Sequence, residues 1–203
     1  EVLVLENDNL TDYAAQRNLG LKKAKNEWVL FVDDDEVVTD ELRREILDAA
    51  RMTNHDGYYI KRADFFLGKK LNFGETGNIK LLRLGMKNLP AGRQGAGKWH
   101  RKVHEVWDIR NTANLKNPLY HYPHQTIREF LSSINLYTDL DVVELNREGK
   151  AFSIFRLFLN PPGKFIQNYI FKLGFLDGFA GFTMAYMMSL YSLIVRVKLY
   201  ENQ

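Results

Sequence analysis

The sequence predicts an α/β fold, a mixed sheet flanked by helices with a helical tail behind it, and three observations carry that reading. Strand and helix signals alternate over residues 1–57. Two further strand-like segments, 57–62 and 79–84, are separated by a glycine-containing stretch, which suits an antiparallel or mixed arrangement. Beyond residue 125 the pattern turns helical and then rich in Phe and Tyr.

Taken in order, Val2-Leu3-Val4-Leu5 is an apolar run closed by Glu6-Asn7-Asp8-Asn9, the pattern of a short buried strand ending in a turn. Ala, Leu and long polar residues from Thr11 to about Lys25 favour a helix capped by Asn9 or Thr11. Trp28-Val29-Leu30-Phe31-Val32 is uninterrupted apolar sequence, as in a central parallel strand covered on both faces. Thr39 caps a second helix whose Asp40 and Glu41 suit its positive end. The stretch from Pro90 to Gly97 has no periodicity and reads as a surface loop. Thr126-Ile127-Arg128-Glu129 is a capping-box pattern opening a helix to about Gly149, and Pro161-Pro162-Gly163 is expected to break the chain after it.

The chain has 203 residues, 28 basic against 25 acidic for a net charge of +3, and no cysteine. A disulfide framework, a thiol nucleophile and a cysteine-ligated metal are therefore excluded. The charge is too small and too dispersed for nucleic acid to be the main partner. His100 and His104 are four apart, but without an H-E-x-x-H pattern a zinc pair is disfavoured.

The apolar run 28–32 ends in Asp33-Asp34-Asp35-Glu36. Ligands of open α/β sheets bind beyond the carboxyl ends of strands. Asp33 and Asp35, two apart, can turn their carboxylates to one side and share a hard cation, Mg²⁺ or Mn²⁺, completed by substrate phosphates. The plainer alternative is a solvated acidic turn in which Glu36 and Asp40 serve only the helix dipole. A Mg²⁺-dependent phosphohydrolase using Asp33 is a further alternative, but it wants D-x-D-G-T, and Glu36 and Val37 follow here.

The string Tyr13-Ala14-Ala15-Gln16-Arg17-Asn18-Leu19-Gly20, then Glu27 to Glu36, Gly57-Tyr58, Lys80 to Leu84, Val103-His104-Glu105, His121 and Phe175 to Phe182 closely resembles family 2 glycosyltransferases of the GT-A fold. Within that family it is most similar to the lipopolysaccharide-core β-glucosyltransferase branch. The resemblance implies that Asp33 and Asp35 are the metal positions of a D-x-D motif, with Asp34 as its variable middle residue. It implies Glu105 as the base that takes the acceptor hydroxyl proton, with His104 beside it orienting acceptor or diphosphate. Lys80 and Arg83 are candidates for phosphate or acceptor, although strand alternation puts them on opposite faces. Arg17 and Asn18 match the family's Arg-Asn pair, where Asn18 is expected to bridge the helix to a strand end.

The same resemblance implies a nucleotide-sugar donor, expected to be a UDP-sugar, and a glycan or lipid-linked acceptor in cell-envelope polysaccharide synthesis. It implies a transferase domain over 1–124 that lacks its opening strands and a helical region over 125–203. Residues 178–195 carry no charge, and Lys164, Lys172, Arg196 and Lys198 stand among the aromatics around them. We therefore expect 161–203 to lie on a membrane surface, at the cytoplasmic face, rather than to cross it. The competing expectations are a helix pair packed into a core or dimer, and a truncated membrane-associated remnant without turnover.

Overall fold

The computed structural model describes residues 1–6, 12–52, 54–89, 97–101, 105–124 and 126–202. In chain order the elements are α1 (Tyr13–Lys23), β1 (Trp28–Leu30), β2 (Glu36–Val37), α2 (Asp40–Arg51), β3 (Gly57–Phe66), β4 (Lys69–Lys70) and β5 (Lys80–Met86). They continue with β6 (Trp99–His100), β7 (Val106–Trp107), β8 (Thr112–Asn114), β9 (Leu119–His124), α3 (Ile127–Arg147), α4 (Ile154–Ile166) and α5 (Gly178–Glu201). The chain forms two compact units, Glu1–Arg62 with Lys80–Tyr120, and Ala63–Ile79 with His121–Gln203.

The sheet of the first unit runs β1-β5-β3-β9-β2 and is mixed: β1 and β3 pair antiparallel with β5, while β8 pairs parallel with β3. Two apolar clusters serve it. Leu42 and Ala49 of α2 meet Tyr58, Ile60, Leu84 and Leu119 in one, and Ala14 and Leu21 of α1 meet Leu82, Trp99, Trp107 and Ile109 in the other. Gly85 has to be glycine, because a Cβ there would stand 2.8 Å from the Trp107 ring. Two short antiparallel strands, β6 and β7, stack the Trp99 and Trp107 rings 5.1 Å apart.

Several expectations need correction. Val2–Leu5 is not a strand, and Val2 is 89% exposed. Its composition suits a strand, but among the described residues no neighbour supplies the ladder that defines one. The run 28–32 is not a central parallel strand, for β1 ends the strand order and is antiparallel to β5. An apolar run reports burial and leaves the direction of its neighbour open. The expected caps Asn9 and Thr11, His104 and residues 90–96 lie outside the described residues. Asp12 caps α1 instead, its carboxylate accepting from the Ala15 N–H at 2.9 Å. His100 lies on β6 and not on a helix.

In the second unit the capping box at Thr126 and Glu129 forms as the sequence indicates, and α3 runs 21 residues from it. Phe66, Leu71, Phe130 and Ile134 pack against Ala180, Met184 and Met187 of α5. Asp177 is buried just ahead of α5, where its Oδ2 accepts from the N–H groups of Asn72 and Phe73, both at 2.9 Å. His121 and Asp64 form a buried pair at 2.6 Å. Gly181 leaves no room for a side chain: a Cβ would fall 2.0 Å from the Gly174 carbonyl oxygen.

Pro161 and Pro162 do not break the chain but lie inside α4. Neither has an N–H, so the carbonyls of Leu157 and Phe158 lose their helical donors. The loss is offset by packing along α5, where Phe182 meets both Phe165 and Tyr169 and the Ser189 hydroxyl donates to the Pro161 carbonyl at 2.7 Å.

Candidate active site

The acidic run follows β1 directly. The ladder to β5 continues one residue past the strand, with the Phe31 N–H donating to the Arg83 carbonyl at 2.9 Å, and the backbone then turns. The Glu36 N–H closes that turn on the Asp33 carbonyl at 3.1 Å, and the Glu36 carboxylate reaches back to accept from the Asp33 N–H at 2.9 Å. Asp34 and Asp35 form its tip, Asp34 exposed and Asp35 half-buried.

Two arginines from other elements converge on this turn. Arg83, from β5, pairs through Nη2 with Asp33 Oδ2 and, at 3.1 Å, with Glu36 Oε1. The Glu36 side chain is wholly out of solvent and Arg83 keeps 5% of its own exposed. Arg17, from α1, donates through Nη2 to Asp33 Oδ1 at 3.1 Å and through Nε to Glu105 Oε1 at 2.8 Å. Its guanidinium also lies over the Trp99 ring, 4.9 Å from the centroid, and 5.5 Å from that of Phe31. Burial alone would raise the Asp33 carboxyl, but the charges and hydrogen bonds of Arg83 and Arg17 outweigh it and hold the group below the ordinary carboxylate range. For Arg83 burial pulls downward, and the surrounding Asp33, Glu36 and Glu105 raise it further above the usual arginine value.

The structure thus brings Arg17, Asp33, Arg83 and Glu105 into one ionic network, with Asp34 and Asp35 on its adjoining turn. It leaves Lys80 out: that side chain donates to Asn114 Oδ1 on β8 at 3.2 Å. Asn18 bonds both ways with the Trp99 backbone at 2.9 Å, pinning α1 to β6 one residue from Arg17. Glu105 pairs with Arg17 from α1 at 2.8 Å. The member that sequence reasoning missed is Glu36, read there as a helix-dipole residue. The available signal was a carboxylate directly after the acidic triplet and ahead of two valines.

A divalent cation is compatible with this donor set on one condition. Both oxygens of Asp33 are engaged by guanidinium groups, and the described residues hold no cluster of three or more His, Asp or Glu able to enclose an ion. Asp34 and Asp35 lie on the same turn, and substrate oxygens would have to complete the shell beside them, as they commonly do for Mg²⁺.

A mixed α/β sheet with an acidic turn beyond the carboxyl end of a strand is the arrangement in which open α/β domains bind ligands. Residues 1–110 match the model of glycosyl transferase family 2, and the chain belongs to that family. It is similar to the lipopolysaccharide core biosynthesis glycosyltransferase LpsC of Rhizobium meliloti, with 24% identity over 197 residues that cover 94% of this chain and 70% of LpsC. A glycosyltransferase of Rickettsia typhi is 27% identical over 177 residues, 84% of this chain and 61% of that protein. One from Rickettsia prowazekii has the same identity and coverage. The chain therefore spans 61–70% of the length of these relatives.

Proposed function

We propose that the chain is the catalytic part of a metal-dependent inverting glycosyltransferase. It moves a sugar from a nucleotide-sugar, a UDP-sugar in our reading, to a glycan or lipid-linked acceptor of lipopolysaccharide or related envelope polysaccharide. The observation that carries the reading is Arg17, which reaches Glu105 across 88 residues of sequence and Asp33 across 16, and so links a carboxylate base to the acidic turn. Family membership and the similarity to LpsC, a lipopolysaccharide core biosynthesis glycosyltransferase, support the reaction class and the acceptor pathway.

In this reading Asp35 would hold Mg²⁺ or Mn²⁺, with Asp34 beside it and Asp33 on the side of the donor ribose or the water shell. The bound cation would neutralise the nucleoside diphosphate as it leaves. Glu105 takes the proton of the acceptor hydroxyl while that oxygen bonds to the anomeric carbon from the face opposite the departing diphosphate, which inverts the centre. Arg17 engages Oε1 of Glu105 and directs the carboxylate. Arg83 and Glu36 fix Asp33, Asn18 fixes the Arg17 helix, and His104 is assigned to the acceptor side. Residues 1–124 are assigned to transfer and 125–203 to a helical region that works at the cytoplasmic face of the plasma membrane.

The test is calorimetric titration of the chain with UDP in the presence and absence of Mn²⁺. Binding should strengthen with the metal, and Asp35→Ala should bring affinity down to the metal-free value. Unchanged affinity in that variant overturns the metal assignment. Glu105→Gln should retain UDP binding and lower sugar transfer by roughly 10²–10⁴-fold, the usual worth of a positioned base.

A further inference from the structure

The second unit exposes apolar surface on a scale that a soluble domain does not need. On α4 none of the 13 residues is buried, and Phe155, Phe158, Leu159 and Ile166 recur at helical spacing on one exposed stripe. On α5 one side packs on the core through Ala180, Met184, Met187 and Val195. The other carries Phe179, Phe182, Tyr186, Leu193, Val197 and Tyr200, which are spaced by three, four or seven residues and are all exposed. Between the helices a turn of π-helix (Gln167–Phe171) and one of 3-10 helix (Gly174–Asp177) form an elbow. There Phe171 is 77% exposed, and Ile170, Leu173, Phe175 and Leu176 are exposed with it.

Charge singles out the partner. From Gly149 to Tyr200 the chain carries Lys150, Arg156, Lys164, Lys172, Arg196 and Lys198 against one acid, Asp177, which is buried and bonded to backbone N–H groups. Lys150, Lys164 and Lys198 have ion-pair partners in Glu148, Glu75 and Asp139. Arg156 has none among the described residues, and the Lys172 charge acts on Glu75, which Lys164 already pairs. Arg156, Arg196, Lys150 and Asn160 line a cavity of about 350 Å³ where α4 meets α5. Burial and then the nearby Arg156 charge pull Arg196 below the ordinary arginine value, so the two guanidinium groups repel, with the Asp141 charge as a partial counterweight.

We infer that the α4–α5 hairpin is a monotopic docking surface for a bilayer containing anionic lipid. The elbow and the exposed aromatic stripes enter the boundary between headgroups and acyl chains, and the Arg156–Arg196 cavity takes a headgroup phosphate. A symmetric dimer through this surface would set cations against cations. A span by Gly174–Glu201 is long and apolar enough, but α5 is tied to the polar helix α3. The Tyr191 hydroxyl donates to Asp141 at 2.7 Å and Lys198 to Asp139 at 2.6 Å, bonds that would carry those carboxylates into hydrocarbon. Interfacial binding needs neither, because apolar rings and snorkelling cations are what the headgroup layer accepts.

This deepens the membrane part of the proposed function and is read by lipid binding alone, so its failure leaves the transfer chemistry standing. The experiment is co-sedimentation of the full chain with phosphatidylcholine vesicles, with and without phosphatidylglycerol. Binding should require phosphatidylglycerol, weaken with salt and be released by alkaline carbonate. Phe179→Ser should weaken it by roughly tenfold or more, from the apolar transfer energy of one ring. Arg156→Gln should cost about fivefold, the worth of one cation at an anionic surface. Both side chains are exposed, so urea midpoints should not move. Equal binding to neutral vesicles, resistance to carbonate, or a lipid-free dimer that Phe179→Ser dissociates would each overturn the inference.

Discussion

The two units depart from the usual placement of side chains in opposite senses. In the first, a carboxylate and a guanidinium are taken out of water, Glu36 entirely and Arg83 all but 5%. In the second, Phe155 is left 76% exposed and Phe171 and Phe179 77%. Burying a charge costs free energy that only close opposite charges and hydrogen bonds return, so the first unit spends its stability on holding a few atoms in fixed positions. Exposing aromatic rings forgoes burial energy that folding could have collected, so the second unit keeps that energy for a later contact. Charge sequestered inside one unit and apolar surface withheld from the core of the other are both the marks of function rather than of stability.

The comparison is broken most sharply at Arg83. Arg83→Met would leave the buried Glu36 without its cation, and removing one partner of a buried pair costs about 3–5 kcal/mol. A urea melt of the first unit's transition should show that loss. A change within 1 kcal/mol, about the worth of a surface pair, would mean that the network is solvated in solution.

A smaller effect is expected where the second unit is tight. Gly181→Ala forces the α5 backbone away from the Gly174 carbonyl and should destabilise the unit by about 1–3 kcal/mol, as overpacking does. Thermal unfolding of that variant would show it, while Phe179→Ser, two residues away on the exposed stripe, should leave the melting temperature in place. Equal effects at 179 and 181 would erase the distinction between the packed and the open side of α5.

The smallest effect is a pH dependence. Asp33 lies below its ordinary value of 3.8 in the folded chain because its arginines outweigh burial. A lowered carboxyl contributes stability that is complete above the unfolded value and disappears as pH falls through the folded one. The Asp33 contribution should therefore hold down to about pH 3.8 and decline below it, and in Arg83→Met that share of the acid limb should shrink. Identical acid limbs in both proteins would remove the coupling.

Much of the local architecture was legible without coordinates. The helix starting at Thr126 was written in its capping box, α2 in Thr39 and its acidic first turn, and β3 and β5 in their runs of β-forming residues. The acidic turn was legible because three aspartates after an apolar run have little other use. Less was legible at the site. Glu36 follows the aspartates at the position of an ordinary helix-start carboxylate, and nothing local says that it folds inward. Arg17 carried a motif but no partner, since Asp33 lies 16 residues away and Glu105 88.

The sequence by itself determined several of the helices and strands, where carboxylates gather and where aromatic rings and cations are concentrated, because caps, periodicity and composition act over a few residues. Only the tertiary structure decided that β1 runs antiparallel to β5, that Pro161 and Pro162 stay within a helix, and that Arg17 and Arg83 close on Asp33. Each of those outcomes depends on a partner distant in the chain, whose energy outweighs the local preference once packing brings the two together.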